Sequence, residues 1–503
     1  MDRLTGLDGA FLSLESPTTH LQILGALVFD PAGVDGGVDF WTVRNLIADR
    51  LPLVPPFRKR MVAVPFGLQH PALVDDPDFD LDYHVRRVCL PPPGSLGELA
   101  DLVAEVASRP LDRGRPLWEF HVVEGLEHGR VAIVPKVHHS IIDGVSGAQV
   151  MAAFFDLTAV PAPVPLFGRP KPGDPSGSVD QGPAPRADPS WTPDPLPGEV
   201  ARWRDVLGSL PTQADALART VSWSLRAARD LSGRRREERE ETGPDAPSAF
   251  EAPRTSINRA ISPHRRVALA ELPLARVRRI RDVLGGTTND VVLAVTSGAL
   301  RSFFAGRGEQ PQSSLVGMVP VSVRTEAEDG TLGNRISAML VSLASGVDDP
   351  ATRLQRISGE TRAIKEQDRY FDAGTLAGWS QALVPSVATR LSRLVTNFRL
   401  FDHMAPPFNL IVSNVPGPDF PLYLAGARMV AMYPLGPIVE GVGMNVTVFS
   451  YLDSLYVGVQ GCRVLTPDLD AVARGMEESL AELVTAANRR DRPVPWWHAE
   501  LPA

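Results

Sequence analysis

The chain has 503 residues, 44% hydrophobic and 22% charged, with a formal net charge of −8. That composition supports two substantial folded domains, excludes wholesale disorder, and argues against a nucleic-acid partner, which needs a basic face for phosphates. Its two cysteines, Cys89 and Cys462, exclude a disulfide framework and a cysteine metal cluster, and suit a reducing cytosol.

The opening MDRLTGLDGAFLSLESPTTH carries acids and hydroxyls where an export signal has an apolar run. Residues 21–29 predict a strand and residues 97–108 an amphipathic helix. Residues 131–137 (VAIVPKV) form an apolar run short enough for a buried strand. Together these mark an N-terminal domain, residues 1–160. Twelve prolines then fall between residues 161 and 200, and proline removes backbone donors and fixes φ. After them, Trp203, Leu207, Leu210, Leu217, Val221 and Leu225 recur at helical spacing beside several arginines. Residues 161–255 therefore read as a proline-rich linker carrying an amphipathic helical segment. That helix either bridges two domains or lies on a membrane surface, with tryptophans at the interface and arginines near anionic lipid.

A C-terminal domain, residues 256–503, resumes the mixture. A strand is predicted at 267–272, a helix at 274–283 ended by Gly285 and Gly286, an apolar helix at 289–304 and a buried strand at 315–323. Strands 444–451 and 455–460 form a hairpin around Asp453 and Ser454, and 468–488 closes as an amphipathic helix. The uncharged run 373–389 is broken by Ser380, Gln381, Pro385 and Ser386, so it is read as a buried or interfacial helix rather than a span.

Immediately after VAIVPKV stand His138, His139, Ser140, Ile141, Ile142, Asp143 and Gly144. An imidazole titrates near neutral pH, so it can take a proton from a hydroxyl without elaborate tuning. Gly144 allows a sharp turn, and Asp143 can lock that turn through an arginine and backbone donors. Two plainer readings stand beside this one: a structural histidine, or a metal site. Adjacent strand residues point to opposite faces, which makes the pair a poor chelate. No third ligand lies near at metal-like spacing.

The pattern HHxxxDG resembles the motif of coenzyme-A-dependent acyltransferases, a group that includes chloramphenicol acetyltransferase and peptide condensation domains. Further segments resemble, in order, the bacterial wax ester synthase/diacylglycerol acyltransferase family. They are RLTGLDGAFLSLESPTTHLQILGALVFD (3–30), DDPDFDLDYHV (75–85), PLDRGRPLWEFHVVEGL (110–126), TTNDVVLAV (287–295), MVPVSVR (318–324), Gly333-Asn334 and SNVPGP (413–418). The linker is the poorly matched part.

The resemblance implies an α/β fold of two chloramphenicol-acetyltransferase-like domains, with mixed sheets, flanking helices and an active-site channel between them. It implies that His139 takes the acceptor's hydroxyl proton and that the alkoxide attacks the thioester directly, with no acyl-enzyme. Asp143 and Gly144 would shape the catalytic turn, with Arg324 as partner of Asp143, and His138 would point away and structure it. Asn289 would donate to the developing oxyanion, its plainer reading being a helix N-cap, and Asp290 completes that motif. Pro116, Leu117 and Trp118 read as packing beside the catalytic strand. Asn414, Pro416 and Gly417 read as a rigid turn near the channel.

The implied donor is a long-chain acyl-CoA, and the implied acceptor diacylglycerol, a fatty alcohol, or both. No cofactor, metal or nucleic acid is implied. The implied place is cytoplasmic, peripheral to the inner membrane or to lipid droplets. Two alternatives fit the same residues: an acyltransferase for a polyketide or glycolipid alcohol, or for carrier-bound substrates, and a non-catalytic relative that binds lipid.

Overall fold

The computed structural model describes residues 2–4, 6–64, 70–141, 150–151, 153–160, 252–322, 336–366, 389–390, 394 and 396–490. Residues 161–251 of the linker, with the amphipathic helix expected there, the run 373–388, and Asp143, Gly144, Arg324, Gly333 and Asn334 lie outside the described residues.

In the N-terminal half the chain forms β1 (Asp2–Arg3), α1 (Gly6–Leu14), β2 (Gln22–Asp30), α2 (Phe40–Arg50), β3 (Lys59–Val62), β4 (Ala72–Asp75), α3 (Leu81–His84), β5 (Val85–Cys89), α4 (Leu96–Ala107), β6 (Trp118–Glu124) and β7 (Val131–His138). The C-terminal half forms β8 (Arg265–Pro273), α5 (Leu274–Leu284), α6 (Thr288–Gly306), β9 (Val316–Ser322), β10 (Ile336–Ser342), α7 (Pro350–Glu366), β11 (Leu410–Val415), β12 (Tyr423–Leu424), β13 (Ala427–Leu435), β14 (Met444–Tyr451), β15 (Ser454–Cys462) and α8 (Asp470–Arg490).

The strands and helices predicted on the described residues are present within a residue or two of their expected ends. Local chemistry explains the boundaries. Ser95 and Glu98 close a capping box at the start of α4, satisfying two otherwise orphaned backbone donors. Gly285, at φ +88°, ends α5 in a conformation that side chains resist. One boundary differs: the last hairpin reverses at Leu452 and Asp453, with Leu452 left-handed at φ 51°, and Ser454 already belongs to β15.

Two six-stranded sheets form the body, with a small sheet β1-β4-β3 beside them. One runs β12-β13-β2-β7-β6-β5 and the other β10-β9-β11-β14-β15-β8. Both are mixed: β5 and β6 run parallel in the first, as do β9, β11 and β14 in the second. β12 and β13 come from the C-terminal half yet complete the N-terminal sheet, where β13 pairs antiparallel with β2 from Arg428 opposite Asp30 to Leu435 opposite Leu24.

Side chains of the other sheet stitch β13 in place. Tyr456 Oη donates to Val430 O at 2.7 Å, Tyr451 Oη to Met429 O at 3.1 Å, and Gln460 Nε2 to Gly436 O at 3.1 Å. Burial pushes the Tyr456 phenol up to about 12, so it stays a donor. Gly458 lets β15 approach Pro434 so closely that an added methyl would overlap the Pro434 carbonyl. The two halves also meet where Arg265 N–H donates to Ser108 Oγ at 2.8 Å, at the end of α4.

Candidate active site

β7 lies between β2 and β6, and its last residue, His138, pairs with Gln22. Leu117 O accepts the His138 N–H at 3.0 Å, and Leu21 O accepts the His139 N–H at 2.9 Å. These bonds set the backbone of the histidine pair from both neighbours, while strand alternation sends the two rings to opposite faces.

The rings have different surroundings. His138 is only 1% exposed. Its Nδ1 accepts the backbone N–H of Ser140 at 3.0 Å and lies 2.7 Å from Ser140 Oγ. A backbone N–H can only donate, so Nδ1 is the accepting ring nitrogen and Nε2 the one turned to donate. That nitrogen lies 3.1 Å from Glu15 Oε1. His139 is partly exposed, with its ring tilted at 33° against Phe11 and the centroids 4.3 Å apart.

Glu15 follows α1 directly. Arg113 holds its Oε2 through Nη2 at 2.6 Å and Nε at 3.2 Å, and the Leu21 N–H reaches Oε1 at 3.3 Å. Arg113 Nη2 also donates to Leu12 O at 2.9 Å, tying the carboxylate's partner to α1. Burial alone would raise the Glu15 pKa, but the His138 contact and the Arg113 charge outweigh it and hold the carboxyl down at about 2. Arg113, Glu15, His138 and Ser140 thus form one connected buttress. Residue-type reasoning singled out neither Glu15, Arg113 nor Phe11. Their signal was positional, because they lie in the segments 3–30 and 110–126 that also carry the family resemblance.

Pro116, Leu117 and Trp118 lead into β6 and are buried. Trp118 is stacked between Phe57, at 4.9 Å, and His84, at 4.6 Å, and its Nε1 donates to Phe57 O at 2.8 Å. His84 Nδ1 donates to Trp118 O at 2.7 Å. Burial lowers the His84 pKa to about 4, so that ring is neutral. Leu117 packs with Leu4, Leu12 and Leu111 against Ile141, next to the histidine turn. These three residues touch the site through packing and through the Leu117 carbonyl.

Asn289 and Asp290 open α6, whose N-cap is Thr287 rather than Asn289. Asp290 closes a capping box, taking the Thr287 N–H at 2.8 Å, and accepts from Thr361 Oγ1 of α7 at 2.7 Å. Asp290 is therefore a structural tie. Asn289, half-buried at the second helical position, has an amide not consumed by capping.

Asn414 stands in β11 opposite Val448 of β14, followed by Pro416 and Gly417. Gly417 N–H donates to Ser450 Oγ at 3.0 Å, and any side chain at Gly417 would run into Ser450 O and the Phe449 ring. Asn289 and Asn414 thus stand on elements of the second sheet's half, whereas the histidine buttress described above is built from the first.

A second buried charge group shares the His138 face of β7. Lys136, 1% exposed, lies 3.8 Å from Glu119 Oε2, as does His121 Nε2. Burial lowers the Lys136 ammonium to about 8, and burial beside Lys136 and Arg86 lowers His121 to about 4. Among the described residues, no group of three or more histidines, cysteines and acids is disposed to hold a metal ion. No described helix is long and apolar enough to cross a membrane.

Comparison with known proteins identifies the family and the fold. Residues 4–292 match the wax ester synthase/diacylglycerol acyltransferase catalytic domain, and residues 332–484 the C-terminal domain of the same family. A protein named as a diacylglycerol O-acyltransferase in Mycobacterium tuberculosis (strain H37Rv) is 35% identical over 98% of this chain and 92% of its own length. A second from that strain is 36% identical over 96% of this chain and 99% of its own. The solved wax ester synthase/diacylglycerol acyltransferase of Marinobacter aquaeolei VT8 superposes with a TM-score of 0.66 at 27% identity, covering 97% of this chain and 100% of that one. The first condensation domain of the CDA synthetase shares the fold, with a TM-score of 0.52 at 17% identity over 97% of this chain and 96% of its own.

Proposed function

This chain belongs to the wax ester synthase/diacylglycerol acyltransferase family, and from that membership we propose that it moves a long-chain acyl group from acyl-CoA to diacylglycerol, a fatty alcohol, or both. The products are triacylglycerol and wax ester. The observation that carries the mechanism is the division of labour in the histidine pair. His138 is buried and its ring nitrogens face Ser140 and Glu15, whereas His139 is partly exposed, and the proton transfer is assigned to His139.

His139 takes the acceptor's hydroxyl proton as the oxygen attacks the thioester carbonyl. The tetrahedral intermediate collapses, the carbon–sulfur bond breaks, and the departing thiolate takes the proton back from His139. No acyl-enzyme is needed. The Asn289 amide donates to the oxyanion as it develops, an interaction typically worth about 3 kcal/mol. From the family resemblance we assign Asp143 and Gly144 the role of shaping the turn after His139, with Arg324 as the proposed partner of Asp143. Asn414, Pro416 and Gly417 wall the acyl channel, and no cofactor takes part. The enzyme works from the cytoplasm as a peripheral protein at the inner membrane or at lipid droplets, where its substrates reside.

The test is transfer by purified protein from palmitoyl-CoA, offered dioleoylglycerol and hexadecanol separately, with His139→Ala beside it. Transfer to either acceptor that His139→Ala abolishes supports the mechanism, and the ratio of rates names the product. No transfer by folded protein in detergent would sink the lipid acceptor reading.

A further inference from the structure

Among the described residues, exposed large apolar side chains gather on one short segment. Leu394, Phe398, Leu400 and Met404 all stand out from it, with Phe398 68% exposed. The segment is turned like a helix: Phe398 N–H donates to Leu394 O at 3.0 Å, and Met404 N–H to Leu400 O at 3.2 Å. It is also pinned to the body. The Asp402 carboxylate takes the Ala260 N–H at 2.8 Å and Arg399 Nε at 2.8 Å, and Arg254 donates to the Asp402 carbonyl. Phe401 packs against Gly441, where an added methyl would strike its ring. Displaying these apolar groups to water is a cost that a monomer rarely carries without a partner.

The charge around them selects the partner. Arg254, bonded to the Asp402 carbonyl, and Arg399 and His403 within the segment are exposed, as are Arg259, next to the bonded Ala260, and Arg390, four positions before Leu394. Its own acid, Asp402, is occupied by Arg399 and Ala260. In a chain with net charge −8, this local excess of guanidinium groups is unusual. Apolar side chains flanked by arginines fit a surface of anionic lipid, which takes the rings among its acyl chains and the cations at its headgroups. A second copy docked about a two-fold axis would oppose arginine to arginine.

The position of the segment gives the contact a purpose. Gly441, under Phe401, adjoins Glu440, which accepts from the Thr18 hydroxyl. Thr18 lies in the loop that starts at Glu15, beside His138, and leads to Leu21, whose carbonyl holds the His139 N–H. We propose that Leu394 and residues 396–404, with Arg254, Arg259 and Arg390 nearby in the chain or in contact, are the docking surface that seats this protein on anionic lipid next to the catalytic half-site. The purpose, though not the binding, rests on the acyltransferase reading.

The experiment is vesicle flotation with the full chain, using phosphatidylcholine alone and phosphatidylcholine mixed with phosphatidylglycerol. The parent should partition at least about tenfold better onto the mixed vesicles, given the ~1 kcal/mol that each basic residue contributes at an anionic surface. Arg259→Gln with Arg390→Gln should lose most of that preference. Phe398→Ser with Met404→Ser should lower binding to both vesicles by about tenfold or more, since it removes the inserted apolar surface. Should that pair fail to fold, Phe398→Gln alone makes the same comparison. Parental binding by the apolar variant, or a parent indifferent to anionic lipid, would overturn the proposal. So would light scattering that showed the apolar variant splitting an oligomer while vesicle binding stayed unchanged. Transfer to detergent-dispersed hexadecanol is read in parallel: its loss in the parent would strike the functional reading and leave the flotation result standing.

Discussion

The Glu15 buttress makes the sharpest prediction. Glu15→Gln keeps the shape of the side chain and removes its charge. The carboxyl is held at about 2 against an ordinary 4.5, a gap that corresponds to about 3 kcal/mol of stability at neutral pH. Arg113 is 49% exposed, so water screens its share, and about 2 kcal/mol is the reasonable loss.

The sign follows from linkage. Folding lowers this pKa, so the contribution is complete above pH 4.5 and is lost as the pH falls toward 2. Urea midpoints of parent and variant should therefore differ at neutral pH and converge in acid. Activity should suffer separately, because His138 loses the anion beside Nε2 and the histidine turn loosens. A displacement on the order of 1 Å costs about a hundredfold in rate, so kcat should fall by about tenfold to a hundredfold, while KM for acyl-CoA stays near parental. A variant with parental kcat and an unmoved midpoint at neutral pH would refute the reasoning.

Two further outcomes follow from other buried features. Folding lowers the Lys136 ammonium from 10.5 to about 8, so the unfolded chain binds more protons between those values and stability rises with pH across that window, by up to about 3 kcal/mol. Lys136→Met should flatten that rise in urea midpoints, and an unchanged slope would show that Lys136 is not its source. Gly458→Ala would drive a methyl into the Pro434 carbonyl, costing about 1–3 kcal/mol in denaturation. Because β13 pairs with β2, which pairs with β7, it should also lower acyl transfer; a stable, fully active variant would contradict that coupling.

Much of the architecture was legible from periodicity. The run VAIVPKV is apolar on both sides because β7 is buried between β2 and β6, and strands 444–451 and 455–460 read clearly for the same reason. The helices at 97–108 and 289–304 announced themselves by spacing, and the structure adds the capping boxes at Ser95 and Thr287 that fix their starts. The placement of β13 was not legible. Its residues alternate like those of any half-buried strand, and nothing local says which sheet supplies the neighbour.

The histidine pair was visible because chemistry crowds into a few adjacent residues. Its buttress was not, since Glu15 and Arg113 are ordinary charged residues about a hundred positions apart, made specific only by the fold. The reading of Asn289 as a cap failed for a subtler reason: Thr287, two residues earlier, offers the hydroxyl that accepts the Asp290 N–H.

The strand exchange has a consequence for how the molecule is made. During synthesis β2 emerges early, yet its neighbour on one side, β13, is more than 390 residues behind it. Until the ribosome has passed Leu435, the sheet that carries His138 has an open edge at β2, made of the apolar run QILGALVFD. An exposed apolar edge invites pairing with the wrong strand. A chain interrupted before residue 427 would lose more than its C-terminal half: it would also leave the catalytic half unfinished.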